Sequence, residues 1–457
     1  MNPPMNSAIP DPAWAWTVYE PSKSVPWDSL AAAHLFRRAG FSANRSEVES
    51  AVNRQPHEIV ADLLSPDRES DNFRAEIRSL IRASMAAGDV KKLSAQWVYR
   101  MLNTPSPLLE KATLFWHGHF ATSAEKVQDA ELMQMQNDLL RQFAWGDFKT
   151  LLLEIARDPA MLIYLDSVSN RKSHPNENFA REIMELFCLG EGNYSETDVR
   201  ELARCFTGWE IKRKKFRFNR YQHDTGPKTL LGATGQFGGE QGVALVAEQA
   251  SAPRFLARKL VRYFVIDEPM ATDELIEPLA IELSQNNLEI APTLKRILSS
   301  NLFFSAYARA RKIRSPAEFA IGFLRSMEAS TDAYRVADAM RLLGQGLYFP
   351  PSVKGWDGGR AWINSSTLLG RSNLIRQIID HDKTRFGKTS LADYLSHHGV
   401  TNAESLISWI EPLMFAVPIP SAAKAKVVQL DSVGGDREHR MKDAIHVLCS
   451  LPEYQLS

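Results

Sequence analysis

Apolar residues recur three to four positions apart along most of this chain of 457 residues, which is the spacing of amphipathic helices. The segment 29–41 (SLAAAHLFRRAGF) shows the pattern clearly, and Gly40 stands where a helix C-terminal cap is expected. We predict a short helix here, with His34, Arg37 and Arg38 on its polar edge.

The helical spacing holds over about 46–165 and again over 250–345, and a different pattern lies between these segments. Residues 210–218 (EIKRKKFRF) alternate apolar and charged side chains, as a strand does, and turn residues follow in HDTGPKTLLG. We predict one small β-hairpin near 209–232. The predicted fold class is therefore mainly α, a large multi-helix globular domain with this single hairpin.

Proline and small polar residues dominate positions 1–28, which predicts an extended N-terminal arm. We assign 29–457 to a single large helical domain. Two closely packed lobes are an open alternative, because a chain of 457 residues exceeds the usual size of one domain.

Charge and composition remove several classes of function. Lys plus Arg and Asp plus Glu balance at 54 each, so no global charge attracts nucleic acid. The chain has 3 scattered cysteines, and no apolar stretch approaches the roughly 18 residues of a membrane span. Because no secretory signal precedes the arm, we expect a cytoplasmic protein, with export as the alternative.

The densest charged segment runs from His174 to Trp209 and predicts two helices, the second beginning at a capping box. Four charged side chains share one arc of the first helix with Asn178, opposite an apolar face; they are Glu177, Arg181, Glu182 and Glu185. Three carboxylates beside one guanidinium favour a raised carboxyl pKa or a bound cation. These four residues are candidate catalytic residues, and a solvated face with i,i+4 ion pairs is the alternative.

Histidines upstream and downstream of that helix form a candidate metal site. His117 and His119 flank Gly118, and both reach one metal only if the glycine lets the chain leave helical geometry. The remaining candidate ligands are His174, His223 and Asp224. If the fold brings these groups together they suit a divalent metal ion, which is the candidate cofactor. Buried core histidines are the alternative.

A loop at 344–362 is dense in glycine, proline and tryptophan, and loops of this length are often functional. Trp356 and Trp362 could stack on a sugar, or simply pack over the loop. The basic run at 212–215 could contact phosphate, but lysines that protect an edge strand explain it without a ligand, and we prefer that explanation. Trp209 and Lys228, which flank the predicted hairpin, complete the candidate binding residues.

Six strings of this chain resemble a bacterial family called domain of unknown function 1800. They are HLFRRAGF from residue 34, FWHGHFATS at 115–123, AMLIYLD at 160–166, the segment 176–209, HDTGPKTLLG at 223–232 and PPSVKGWDGGRAWI at 350–363. The resemblance implies neither catalytic residues nor a particular reaction. It implies proteins that are often exported and encoded near a sulfatase-like family, which suggests a partner of that kind at the cell envelope.

Two functions therefore stay open. The first is an enzyme whose His/Glu polar site, assisted by a divalent metal, hydrolyses a polar substrate. The second is a non-catalytic helical scaffold, or a glycan- or protein-binding module, that acts with an envelope partner through the loop at 344–362 and the basic hairpin.

Overall fold

The computed structural model describes residues 10–65, 68–430 and 436–457, and it confirms a mainly helical fold, at 61% helix. The helices before the hairpins are α1 (Pro12–Ala15), α2 (Ser29–Ala39), α3 (Arg45–Val52), α4 (Pro56–Leu63), α5 (Asp71–Ala86), α6 (Val90–Asn103), α7 (Pro107–His119), α8 (Ala124–Val127), α9 (Ala130–Gln142), α10 (Phe148–Arg157), α11 (Pro159–Tyr164), α12 (Asn178–Glu182) and α13 (Glu196–Cys205). Within these ranges no helix combines the length and the apolar character needed to cross a membrane.

The second half of the chain is also helical. Its helices are α14 (Gly239–Ala247), α15 (Ser251–Phe264), α16 (Asp273–Gln285), α17 (Ile290–Leu298), α18 (Asn301–Phe304), α19 (Pro316–Ser326), α20 (Ala333–Leu342), α21 (Ser365–Asp380), α22 (Leu391–His397), α23 (Ala403–Met414), α24 (Ser421–Gln429) and α25 (Arg437–Cys449). Short 3-10 helices occur at Ser167–Ser169, Arg220–Gln222, Gly359–Trp362 and Pro452–Gln455, and a π-helix at Ile183–Cys188.

Most helices begin at a side chain that satisfies a free backbone N–H group. At α2 the carboxylate of Asp28 accepts a hydrogen bond of 2.9 Å from the amide of Ala31. At α13 the predicted capping box of Ser195 and Asp198 is present, with both reciprocal hydrogen bonds made. These caps fix where the helices start, and the apolar faces then fix how they pack.

One cluster of buried apolar side chains extends from Ala15 to Tyr454. Helices distant in sequence meet across it, because α6 packs on α20, α2 on α23 and α15 on α16. Helix α7 is enclosed on nearly all sides, because 11 of its 13 residues are buried. A helix that is buried on all sides must satisfy its own polar groups internally, and α7 carries several.

Glu110 shows how α7 does this. Its carboxylate accepts hydrogen bonds from Arg141 Nε at 2.7 Å and from Trp97 Nε1 at 2.7 Å, and it also pairs with Arg100. Burial alone would raise the pKa of Glu110, but Arg141 and Arg100 lower it to about 2. The group is therefore ionised and paired inside the protein.

Two hairpins occupy the region where one was predicted. The first pairs β1 (Trp209–Lys212) with β2 (Lys215–Phe218), and the second pairs β3 (Lys228–Leu230) with β4 (Ala233–Gly235). Each tight turn has two residues with positive φ, the pattern of a type I′ turn. The second turn escapes prediction because Leu231 is an unusual residue for that conformation. A third short pair joins β5 (Ala329–Ser330) to β6 (Arg385–Phe386).

The predicted N-terminal arm is partly helical and partly buried. Residues 1–9 lie outside the described ranges, and α1 forms one turn just after them. Trp16 is buried and its Nε1 donates to the carbonyl of Leu275 at 2.7 Å, while Tyr19 packs on Phe304. This segment is therefore attached to the helical core at both aromatic residues.

The predicted polar edge of α2 is wrong. His34, Arg37 and Arg38 are all buried, at no more than 5% exposed. Their side chains hydrogen-bond to backbone carbonyls of other segments: Phe303 at 2.9 Å, Leu413 at 3.1 Å and Ala308 at 2.8 Å, respectively. Polar side chains that bond such carbonyls replace the water lost on burial.

Candidate functional site

The predicted charged helix is present, but it changes geometry midway. It starts as α12 and continues as the π-helix from Ile183 to Cys188, a rare form that is frequent at functional sites. Most of its charged groups have partners. Arg181 pairs with Glu196 at 2.6 Å and with Glu177 at 3.3 Å, and Glu185 accepts a hydrogen bond from the hydroxyl of Tyr194 at 2.7 Å.

Glu182 differs from the other carboxylates of this helix. It is half-buried, and within the described residues it forms no ion pair. Burial, followed by the neighbouring Glu185, raises the pKa of Glu182, whereas Arg181 and Lys354 oppose the shift. Lys354 belongs to the loop at 344–362, so the charged helix and that loop are neighbours.

His117 and His119 point to opposite sides of α7, because the helix is regular through Gly118. The ring of His117 meets Trp97 and Trp356, whereas the ring of His119 meets Phe120 and Phe187. The condition for both imidazoles to reach one metal, a departure from helical geometry at Gly118, is therefore not met.

The two histidines also carry their protons on different nitrogens. Burial lowers the pKa of each to about 3, so both are neutral at pH 7. His117 Nε2 accepts from the amide of Tyr348 at 3.0 Å, which leaves the proton on Nδ1. His119 Nε2 bonds to the carbonyl of Phe187 at 2.9 Å; a carbonyl can only accept, so Nε2 carries the proton and Nδ1 has a free lone pair.

The other candidate metal ligands serve the hairpin region. His174 is exposed beside Arg171, and His223 donates from Nδ1 to the carbonyl of Thr207 at 2.9 Å. Asp224 pairs with Arg204 at 2.7 Å. Across the described ranges no three His, Cys, Asp or Glu side chains form a group that could hold a metal ion. The structure therefore does not assemble the predicted ligand set.

Trp209 and Lys228 are structural as well. Trp209 is 3% exposed and packs so closely on Gly239 that a Cβ there would lie 2.1 Å from the indole. Lys228 is 1% exposed, and its Nζ donates to the carbonyls of Asp224 at 2.6 Å and Gly226 at 3.2 Å. Neither side chain is accessible to a ligand.

A cavity of about 130 Å³ lies between α7, α15 and the loop at 344–362. Its apolar wall consists of Phe115, Tyr263, Trp356 and Trp362. His119 lines it too. Three of the residues chosen from the sequence, His119, Trp356 and Trp362, thus meet at one place, together with residues that no motif singled out.

Cationic side chains outnumber carboxylates around this cavity. The cations are Lys259, Arg262, Lys312 and Lys354, and the carboxylates are Asp267, Glu318 and Asp357. Two carboxylates are already neutralised: Asp267 pairs with Lys312 at 3.3 Å, and Glu318 pairs with the fully buried Lys111 behind the wall. Burial alone would raise the pKa of Glu318, but Lys111 and Lys312 lower it to about 2.

Lys259 is the least compensated of these cations. Within the described residues it has no carboxylate partner, and its Nζ lies 5.2 Å from the centroid of the Phe255 ring. Burial lowers its pKa, and Arg262, one turn further along α15, lowers it again. A half-buried ammonium without a counter-ion attracts an anion.

Two glycines set the position of the loop against α7. Gly355 has φ of +75°, and a Cβ at this residue would lie 2.1 Å from the carbonyl oxygen of Gly118. Trp356 then lies over Gly118, where a Cβ would be 3.6 Å from its ring. Arg262 Nη2 donates to the carbonyl of Asp357 at 2.6 Å and ties the same loop to α15. The missing Cβ of Gly355 therefore admits the loop, and Gly118 contributes the backbone that the loop approaches.

One donor and one acceptor on the cavity wall lack protein partners. Neither Trp356 Nε1 nor His119 Nδ1 has a hydrogen-bond partner among the described residues, and both are buried. Both atoms have almost no accessible surface, so they do not face the open space of the cavity. The cavity therefore offers cations and aromatic faces.

A serine–histidine pair elsewhere does not form a hydrolase site. Ser372 Oγ lies 2.9 Å from His446 Nε2, the distance of an activated serine. However, Arg376 Nη2 lies 3.2 Å from His446 Nδ1, and a guanidinium can only donate. His446 Nε2 therefore holds the proton and donates it to the serine, which is the reverse of what a general base needs.

The sequence contains a weak indication of the cavity residues that no motif singled out. The string ARKLVRYF on α15 places Lys259, Arg262 and Tyr263 within one turn, so that they share a face. Arg254 and Arg258 of the same helix pair with Glu277 and Asp273 instead. Only the packing of α15 on α16 separates the paired basic residues from the unpaired ones.

Comparison with known families gives one match. The family model described as "Protein of unknown function (DUF1800)" matches residues 34–456. The chain belongs to the DUF1800 family. The matched range contains α7, α15 and the loop, so the cavity lies inside the DUF1800 domain. A search among curated proteins and a search among solved structures found no match.

Proposed function

We propose that this DUF1800 protein binds a small anionic ligand with a ring, such as a sugar phosphate or an aromatic phosphate, in the cavity between α7, α15 and the loop at 344–362. The observation that carries the proposal is Lys259, a half-buried ammonium that lacks a carboxylate partner among the described residues and faces an aromatic wall. Of the two functions predicted from the sequence, this is the binding module, and the proposal adds the chemical class of its ligand.

The size of the cavity supports a ring-sized occupant. Its volume is about 130 Å³. A protein cavity of roughly 150 Å³ is known to take up benzene, so one six-membered ring fits here and the rest of the ligand extends towards solvent. Trp356 offers a stacking face, because indole rings suit both sugar and aromatic planes.

The charges at the rim support an anionic substituent. Among the lining cations Arg262 and Lys354 are exposed, while Lys259 is half-buried. A phosphate between two ammonium groups and a guanidinium makes charge-assisted hydrogen bonds, which are stronger than neutral ones. Asp357, exposed on the loop, is the one acidic group of the wall that no lysine or arginine neutralises within the described residues.

A hydrolytic enzyme stays a second prediction, and Glu182 is the observation that favours it. Its raised pKa and its position near Lys354 would suit a general acid at the edge of the cavity. Metal assistance gains no support from the described residues. Binding must come first in either case, so the binding experiment tests the common requirement.

Isothermal titration calorimetry tests the proposal with four probes: glucose 6-phosphate, phenyl phosphate, glucose and inorganic phosphate. We expect at least one ring phosphate to bind about tenfold more tightly than glucose or inorganic phosphate. This ratio corresponds to a difference of about 1.4 kcal/mol in binding free energy. The two ring phosphates distinguish a sugar site from an aromatic site.

A matched pair of lysine variants locates the binding. Lys354→Ala at the rim is expected to weaken the preferred ring phosphate about fivefold, because a charge-assisted hydrogen bond is lost. Lys295→Ala, an exposed lysine on α17 away from the cavity, is expected to leave the affinity unchanged. Absence of binding by both ring phosphates, or an equal loss in both variants, would overturn the proposal.

A further inference from the structure

Lys259 has the surroundings of a reactive amine rather than of a structural cation. It lies on α15 with Arg262 one turn away, and no carboxylate within the described residues pairs with it. Its Nζ lies over the Phe255 ring, and the residue lines the cavity. Lysines become nucleophilic when they are desolvated or placed next to another cation, because both effects favour the neutral amine.

His119 is the second polar side chain at this position. Both His119 and Lys259 line the cavity. Burial, followed by Lys259, lowers the pKa of His119 to about 3, and its Nε2–H is held by the Phe187 carbonyl. The imidazole is therefore neutral and does not compensate the charge of Lys259.

We propose that Lys259 forms an imine with the carbonyl carbon of an anionic aldehyde or ketone bound in the cavity, an inference that rests on the proposed binding function. Burial and Arg262 both lower the pKa of Lys259, which increases the fraction of free amine. The anion would be held at the rim, and the carbonyl would face the half-buried Lys259.

The step balances without any further reactant. Lys259 reacts as the neutral amine, its ammonium having released one proton to solvent water, and the amine lone pair forms a C–N bond as the carbonyl π electrons move to oxygen. The oxygen takes a proton from the ammonium of the adduct and becomes a hydroxyl. It then takes one proton back from solvent and leaves as water when the C–O bond breaks. The products are a protonated imine and one water molecule.

Reductive labelling tests the inference on the full chain. The probe is pyridoxal 5′-phosphate, an aromatic aldehyde that carries a phosphate, and sodium cyanoborohydride converts its imine into a stable secondary amine. Peptide mapping by mass spectrometry then gives the labelling rate at each lysine. We expect Lys259 to be labelled at least tenfold faster than the exposed Lys295, and glucose 6-phosphate or phenyl phosphate, whichever binds, to suppress that labelling.

Two variants locate the reaction. Lys259→Arg keeps the positive charge and is expected to lose the fast label, with no other lysine acquiring it. Lys295→Ala, away from the cavity, is expected to leave the labelling rate of Lys259 unchanged. If either variant fails to fold, the ratio of rates at Lys259 and Lys295 in the unmodified chain still decides.

The outcomes distinguish the two proposals. Calorimetric binding of a ring phosphate, combined with labelling of Lys259 no faster than that of Lys295, overturns the imine and leaves the binding function intact. Fast labelling of Lys354 in place of Lys259 also overturns it. Selective labelling of Lys259 without calorimetric binding of any ring phosphate would instead overturn the proposed binding function.

Discussion

At the residue scale, this protein depends on buried polar side chains that bond to distant parts of the chain. Arg37 and Arg38 of α2 bond to carbonyls of distant segments, and Glu110 of α7 pairs with two arginines. Each such residue was open to a surface interpretation in the sequence, because helical periodicity alone does not reveal whether a charged side chain finds a buried partner. Only the assembled fold supplies those carbonyls and counter-ions.

Glu110→Gln should destabilise the protein and alter its acid response. The pKa of Glu110 falls from 4.5 to about 2 in the folded state, so its stabilising contribution is complete above pH 4.5 and is lost as the pH falls through 2. A shift of this size corresponds to about 3 kcal/mol. Urea unfolding should show a free energy of unfolding lower by about 3–5 kcal/mol at pH 7, and a smaller difference from the unmodified chain at pH 3.

The exposed Glu274→Gln is the matched control for this experiment. It removes one carboxylate from the surface of α16 and is expected to change the free energy of unfolding by less than about 0.5 kcal/mol at either pH. Equal effects of the two substitutions would show that the buried pairing of Glu110 contributes little.

Individual residue types decide which residues of the site could be predicted from the sequence. Trp356, Trp362 and His119 were chosen for their residue types, and they do line one cavity. Lys259 was not chosen, because an ordinary lysine on an amphipathic helix gives no sign of lacking a partner. His174, His223 and Asp224 looked like ligands only because imidazole and carboxylate are common in metal sites; the hydrogen bonds of His223 and Asp224 belong to local structure.

At the element scale, the cavity is formed by the end of α7, by α15 and by one loop. The α7 helix is regular to His119, and the loop approaches it backbone to backbone at Gly118 and Gly355. The sequence predicted both elements from spacing and composition. It could not predict their contact, because a close approach of two glycines leaves no apolar pattern in either segment.

Gly355→Ala should displace the loop. The added Cβ would meet the carbonyl of Gly118 at 2.1 Å, and the positive φ adds strain of about 1 kcal/mol. Ring phosphate affinity is expected to fall more than tenfold, measured by calorimetry, with a lowered Tm. Gly232→Ala is the control, since its φ of +83° carries the same kind of strain but nothing lies within 4 Å. Equal affinities in the two variants would contradict a close-contact role.

At the scale of the whole molecule, contacts between the two ends of the chain argue for a single cooperative unit. Helix α2 packs on α23, and α6 packs on α20, so both halves contribute to one cluster of buried side chains. The helical class was predictable, because burial spacing is a local property. The contacts between the two ends of the chain could not be predicted, because they depend on long-range pairing that no local pattern of the sequence encodes.

Differential scanning calorimetry distinguishes one domain from two lobes. We expect a single thermal transition, because the buried cluster is shared by both halves of the chain. Leu256→Ala in α15 and Ile410→Ala in α23 each truncate a fully buried side chain. Each should lower the same Tm, through a loss of roughly 2–5 kcal/mol in the free energy of unfolding. Two transitions, each sensitive to only one variant, would indicate two lobes.

The glycine contact between α7 and the loop has a consequence for diversification. Because backbone atoms fix where the loop rests, side chains such as Lys354 and Asp357 can be exchanged without moving Trp356. Placement and selectivity are therefore independent properties of this site, and the same scaffold can acquire a different ligand preference through one or two rim substitutions.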